Sequence, residues 1–320
     1  MTTYKNIKGI EIKYLSADPP APNAGQVWYN STTKVVKGAI NGIGAWASGG
    51  DLNTARFNLA GAGTTNANLA TGGNPSTAAT EKYNGTAWTE VNDLNTGRHS
   101  LVGVGTEAAA LVFGGSSSSA LSEEFDGTSW TEGNDLNTGA ENRGSAGTQT
   151  AALAVGGYGT AYSVAVEEYN GTSWTSVTNY PTGQYSVNSF GLQTAAIFAG
   201  GQAPAGKIAT SFSYDGTNWT SIPAINTARD AAGGAGSSTL GIIFAGQISP
   251  ALAAITEQWN GSGWTEIADM ATARRGVARN SANRTNLSAI AVGGRNATAA
   301  VVTTEEWTVT GSTTKTFDTD

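Results

Sequence analysis

The sequence predicts an all-β protein whose sheets stand radially about one axis. The expected form is a β-propeller of six four-stranded blades, with seven as the alternative count. Three observations predict it. A phrase of aromatic, Asn-Gly or Asp-Gly, two residues and Trp recurs: 83-YNGTAW-88, 125-FDGTSW-130, 169-YNGTSW-174, 214-YDGTNW-219 and 259-WNGSGW-264. Ahead of it recurs an apolar run closed by two glycines: 68-NLATGG-73, 110-ALVFGG-115, 152-ALAVGG-157, 196-AIFAGG-201 and 289-AIAVGG-294. Repeat five reads 242-IIFAGQ-247 and is expected to lack the second glycine. Ahead of that again lies a Thr motif, its Thr at 54, 96, 138, 182, 227 and 272, in steps of 42, 42, 44, 45 and 45. Three markers that keep one order and one spacing define an internal repeat.

Each element of the repeat follows from its residues. The segments after the Thr motif are nearly all small, as in 59-LAGAGTTNANLA-70 and 144-GSAGTQTAALA-154, which suits strands crowded near an axis. The apolar runs are short and end in glycine, and a helix of that length would not stand alone. Asn-Gly and Asp-Gly accept positive φ, so the recurring phrase predicts a tight hairpin on a type I′ turn. Four short strands per repeat, punctuated by turn residues, are the unit of a propeller blade. The aromatics fall in the outer hairpin, where blades diverge and gaps need filling. Burying each is worth about 2–3 kcal/mol.

The ends of the chain bear on closure. Repeat six has no clean fourth strand, while 40-INGIGAW-46 has nothing before it to complete a blade. The strand around Trp46 is therefore expected to pair into the last blade. Residues 1–38, rich in Pro and Lys, read as an N-terminal anchoring extension, and 39–320 as the propeller.

Composition narrows the chemistry. A net charge of −7 without a Lys/Arg block gives no footprint for nucleic acid. Residues 1–30 lack a signal-peptide pattern, and no run of apolar residues is long enough for a membrane helix, so no membrane insertion is expected. The chain has no Cys, which excludes a disulfide scaffold and a thiolate metal site. The one His, His99, has no sister in other repeats and reads as a surface residue. No catalytic residue, metal site or cofactor is expected. The carboxylate pairs 123–124, 167–168 and 305–306 sit on strands and so point to opposite faces, which predicts a solvated edge that discourages stray pairing.

Arg56, Arg98, Arg229 and Arg274 occupy equivalent positions and should form a ring near one face. Such a ring is either an anion or glycan site at the rim or a set of bonds to loop carbonyls of the next blade; it breaks at Ala140 and Gln184. Asn84, Asn170 and Asn260 fit the N-glycosylation pattern, but the turn alone explains them. Loop composition does not distinguish one face of the disc from the other.

Over about residues 51–317 the pattern resembles the kelch repeat family. It carries TAR at 54–56, 227–229 and 272–274, TGR at 96–98, and the Gly pairs. It also carries Tyr83, Phe125, Tyr169, Tyr214, Trp259 and Trp307 at the family's aromatic position. It departs from the family in repeats three and four, which lose the Arg, and in 305-EEWTVTGSTTKTF-317, which lacks Asn-Gly and Trp. The copper-oxidase members need Tyr, His and Cys ligands that this chain cannot assemble. The stretch 25-GQVWYNSTTKVVKG-38 resembles a hairpin near the start of bacteriophage tail and fibre proteins. These resemblances imply a non-enzymatic virion structural protein, extracellular and oligomeric in its assembly. Residues 1–38 would bind other virion proteins, and the propeller would recognise a host surface glycan or receptor. A purely architectural subunit is the alternative, and a polysaccharide-degrading enzyme a third.

Overall fold

The computed structural model describes residues 12–19, 26–42, 44–278, 286–310 and 312–317. The chain divides into two compact units, Trp46–Trp307 on one hand and Met1–Ala45 with Thr308–Asp320 on the other. The smaller unit thus takes in both chain ends, and its boundary lies beyond the expected 38/39 break.

The larger unit is a β-propeller of antiparallel sheets, one per sequence repeat. Sheet one runs Ala60–Gly63, Asn68–Thr71, Thr80–Tyr83 and Trp88–Val91, in chain order from inside to outside. Sheets two to five repeat that order, starting at Val102, Gly144, Asn188 and Gly233. Sheet six is described as Ser288–Val292, Thr304–Val309 and Gly44–Ser48. The strand holding Trp46 is therefore its outer strand, as the orphan phrase before repeat one predicted. Residues 279–285 lie outside the described residues.

Backbone hydrogen bonds close the ring at six. The residue two after each Arg position has a left-handed backbone: Asn58, Ser100, Asn142, Ser186, Ala231 and Gly276, with φ between 52° and 62°. Each amide donates to the carbonyl of the equivalent residue one sheet back. Ser100 donates to Asn58 at 2.7 Å, Asn142 to Ser100 at 2.8 Å, and Ser186 to Asn142 at 2.7 Å. Ala231 donates to Ser186 at 3.2 Å, Gly276 to Ala231 at 2.8 Å, and Asn58 to Gly276 at 2.7 Å, where the circle ends. Left-handed geometry costs a non-glycine residue about 1–2 kcal/mol, and the ring of bonds holds five such residues there. A second circle joins the Gly pairs to the Arg carbonyls one sheet ahead, from Gly73 to Arg98 round to Gly294 and Arg56. Gly246 fills this donor role in repeat five, and Ala245, at φ 62°, takes the place of the first glycine. The glycine lost in repeat five is thus the first, not the second.

Packing follows the predicted gradient of size. The inner strand Ala60-Gly61-Ala62-Gly63 is wholly buried. Its last glycine recurs as Gly105, Gly147, Gly191 and Gly236, all at positive φ. A side chain on Gly105 would stand 2.2 Å from the Ala109 carbonyl oxygen, so only glycine fits the innermost turn. Apolar clusters fill the gaps between successive sheets from one to five and between six and one, such as Leu111, Phe113, Tyr169 and Trp174 between sheets two and three. The outer hairpins differ from expectation in their turn. Tyr83 pairs with Trp88, leaving four loop residues, and Gly85 alone has positive φ. The Asn84 carboxamide oxygen accepts from the amides of Thr86 and Ala87, both at 2.9 Å. Asx geometry, which Asp shares, replaces the type I′ turn.

The smaller unit is a sheet ordered Lys13–Leu15, Val27–Asn30, Val35–Asn41 and Ser312–Phe317, with its first pair parallel and the others antiparallel. Asp18 ties it together. It accepts from Trp28 Nε1 at 2.9 Å and Asn30 Nδ2 at 2.7 Å, and pairs with Lys37 at 2.6 Å. Those bonds, the Lys37 one foremost, hold its carboxyl down at about 2.

Candidate functional site

The four arginines expected at a rim lie inside the sheets. Arg56, Arg229 and Arg274 have no exposed surface and Arg98 has 2%. Each is paired with the first carboxylate of its own sheet's third strand. Arg56 meets Glu81 at 2.7 Å, Arg98 meets Glu123 at 2.5 Å, Arg229 meets Glu257 at 2.5 Å and Arg274 meets Glu305 at 2.6 Å. Their bonds to carbonyls stay within that same sheet, as those of Arg56 to Gly72 and Ala79 do, rather than reaching the next blade. Burial lowers the pKa of Arg56, Arg229 and Arg274, and the facing glutamates oppose the shift. A guanidinium buried within its sheet and paired there with a carboxylate is closed to a solvent-borne anion. The ring is a structural clamp.

The same Glu also receives the Thr motif. The Asn95 amide donates to Glu123 at 2.7 Å, and its carboxamide bonds Glu123 and the Trp130 carbonyl. The two repeats that break the Arg ring resolve the loss differently. In repeat three, Arg143 stands three residues past Ala140 and reaches Glu167 at 3.6 Å. In repeat four, Gln184 replaces Arg, Phe212 replaces Glu, and Pro181, which has no N–H, replaces the donating Asn. Tyr180 fills the space, its ring 5.3 Å from Phe212 and 4.7 Å from Trp219. Charge and countercharge leave together.

The second glutamate of each pair is likewise not a solvated edge. It accepts the hydroxyl of the next sheet's tyrosine: Tyr169 to Glu124 at 2.5 Å, Tyr214 to Glu168 at 2.9 Å and Tyr83 to Glu306 at 2.6 Å. Burial first, and the facing carboxylate second, push these three phenols above their ordinary range. Where the next aromatic has no hydroxyl, no glutamate faces it. Lys82 lies over Phe125 at 6.0 Å, and Ser213 and Gln258 occupy the positions preceding Trp259 and Trp307.

The candidate site lies at one end of the central axis, where the Thr-motif loops meet. A cavity of about 430 Å³ opens there, floored by Asn58, Asn142, Ser186 and Ala231 of the amide ring. Its walls are Glu141, Tyr158, Tyr162, Tyr185, Gln202, Lys207, Asp230, Gln247 and Arg275. The three tyrosines pack edge to face or tilted, with centroids 5.5–5.7 Å apart. Lys207, on the hairpin Gln202–Ala203 with Gly206–Lys207, pairs with buried Asp230 at 2.7 Å. Arg275 donates to Gln247 at 2.7 Å. Burial, reinforced by Asp230, raises the Tyr185 phenol, so it stays a protonated donor at neutral pH. An aromatic wall beside fixed donors and acceptors is suited to a polar ligand with apolar faces.

None of these wall residues was among the predicted sites. The signal lay in the repeat itself. The position after each Arg reads Phe57, His99, Glu141, Tyr185, Asp230 and Arg275, and the position after each Gly pair reads Asn74, Ser116, Tyr158, Gln202, Gln247 and Arg295. Bridges join the two positions in every sheet but the second, as in Glu141 with Tyr158 and Arg275 with Arg295. In sheet two the Ser116 amide donates to the His99 carbonyl at 2.8 Å. His99 therefore sits at this mouth, half-buried, its Nδ1 3.0 Å from Ser100 Oγ. Among the described residues, no group of three or more His, Asp or Glu side chains is placed to hold a metal ion.

No protein-family profile matches the chain, and no curated protein matches it. A solved structure described as "Structure of YjhT" aligns with 83% of this chain and 99% of its own length, with a TM-score of 0.66 at 14% sequence identity. At that identity the likeness is one of fold, and it is to a β-propeller.

Proposed function

We propose that this chain is a non-enzymatic recognition protein whose axial mouth binds a saccharide. One observation carries the reading. The repeats copy their clamps and hairpins closely, yet at the mouth the six equivalent positions differ in charge, size and polarity. A framework needs one residue type at such positions, whereas a ligand of low symmetry needs several. The tyrosine wall supports a sugar in particular, since pyranose C–H faces stack on aromatic rings while hydroxyls take the flanking Gln, Lys and Asp. The tie between Asp230 and Lys207 supports binding over acid catalysis, because both groups are already engaged. The phage-like stretch 25–38 supports a virion setting, with the propeller as the module that meets the host surface.

The test is binding of the full chain to an array of bacterial surface saccharides, with Tyr185→Ala alongside. Loss of a stacking contact of about 1.4 kcal/mol weakens affinity about tenfold, and that is the expected result. Absence of binding to every saccharide would favour the architectural role. Release of cleaved sugar would make the chain an enzyme.

A further inference from the structure

The rim of the mouth is uneven. Between the Gly-pair position and the third strand, the connection is residues 74–79 in sheet one and 116–121 in sheet two, six residues each. Counted from the same point it is 158–165, 202–210, 247–255 and 295–303 in sheets three to six, eight or nine residues each. The longer connections of sheets three to five supply Tyr158, Tyr162, Gln202, Lys207 and Gln247 to the cavity wall. Sheet two contributes nothing to the cavity lining, and sheet one only Asn58 in its floor. The cavity is therefore high-walled on one side and low on the other. On the low side stand Phe57 and His99, both half-buried, at the register of Tyr185 and Glu141. Arg295 stands over one face of the Phe57 ring at 5.5 Å, a cation–π contact that orients the ring at the low rim.

Resting on the saccharide reading above, we propose that the occupant is an extended polysaccharide, not a single terminal sugar. One unit sits against the tyrosine wall, and the chain leaves across the low rim over Phe57 and His99. A pocket for a terminal residue alone would be walled on all sides. Here six equivalent loops exist, and the two shortest adjoin each other and flank an aromatic ring and an imidazole outside the cavity. Phe57 and His99 form a second subsite that contributes only when the ligand has several units.

The experiment is isothermal titration of the full chain with glucan, mannan, galactan and uronan ladders of one to six residues. In the ladder that binds, affinity is expected to rise at least tenfold from one unit to four. Phe57→Ala and His99→Ala are expected to remove that rise and leave one-unit affinity within twofold. Tyr185→Ala should weaken every length. Because Phe57→Ala removes a platform under Arg295, Ser76→Trp provides a second test. Ser76 is an exposed residue of the sheet-one connection, and a bulky side chain there should obstruct four-unit but not one-unit ligands. Affinity independent of length would overturn the proposal while leaving the saccharide reading intact. So would a length-dependent gain indifferent to all three low-rim variants. Failure of every ladder at every length would overturn the saccharide reading, and this proposal with it.

Discussion

At the scale of single residues, stability rests on buried charges that never stand alone. Arg98 and Glu123 are 2% exposed each and 2.5 Å apart, with the Asn95 amide on the same carboxylate. Glu123→Ala leaves a desolvated guanidinium uncompensated, at an expected cost of about 3–5 kcal/mol in denaturant unfolding. Repeat four shows how to remove the pair safely. The triple change Asn95→Pro, Arg98→Gln and Glu123→Phe copies Pro181, Gln184 and Phe212, and should recover at least half of that loss. No recovery would mean that the clamp has a role beyond charge balance. The equivalence of the arginines was legible in the sequence, but their partners were not. Arg98 and Glu123 stand 25 residues apart, and only strand register shows which of two adjacent glutamates turns inward. The tyrosine hydroxyls that take the other glutamate come from a different sheet, which no local pattern reveals.

At the scale of elements, the hairpins and inner strands were legible because each is a local, repeated motif. Their aromatics fill the gaps between sheets as their periodicity implied. The turn type was not legible, since Asn-Gly serves both a type I′ turn and the Asx turn found here. Asp126 and Asp215 play the part of Asn84, and amides of their own turns lower both carboxyl pKa values. The small terminal sheet has its own acidic switch in Asp18. Its folded-state pKa, about 2, lies below the ordinary 3.8. The carboxylate thus supports the folded sheet fully above pH 4, and that support is lost as pH falls towards 2. Trp28, bonded directly to Asp18, reports it. Its fluorescence is expected to change between pH 4 and 2 in the native chain and to stay flat there in Asp18→Asn. Equal titration in both would assign the transition to another group.

At the scale of the molecule, six copies close because the last sheet borrows its outer strand from residues 44–48. Trp46 bonds Thr256 at 2.9 Å, as Trp130 bonds Thr80 at 3.2 Å one gap along the ring from Trp88, so the borrowed strand occupies an ordinary blade position. That closure was legible from an unpaired phrase at the start of the repeats. The proposed functional face was not, because it is written in differences between repeats rather than in their likeness. Only the fold shows that residues such as Glu141, Tyr185 and Asp230 surround one cavity. The central claim is that this cavity, rather than the outer hairpins or the terminal sheet, is the working surface. Hydrogen exchange of the full chain with and without the best-binding saccharide tests it most directly. The account predicts protection concentrated at residues 141–142, 158–162, 185–186, 202–207 and 230–231. Protection centred on the hairpin turns at 84–87, 126–129 and 170–173, or on residues 27–41, with the mouth unchanged, would contradict it.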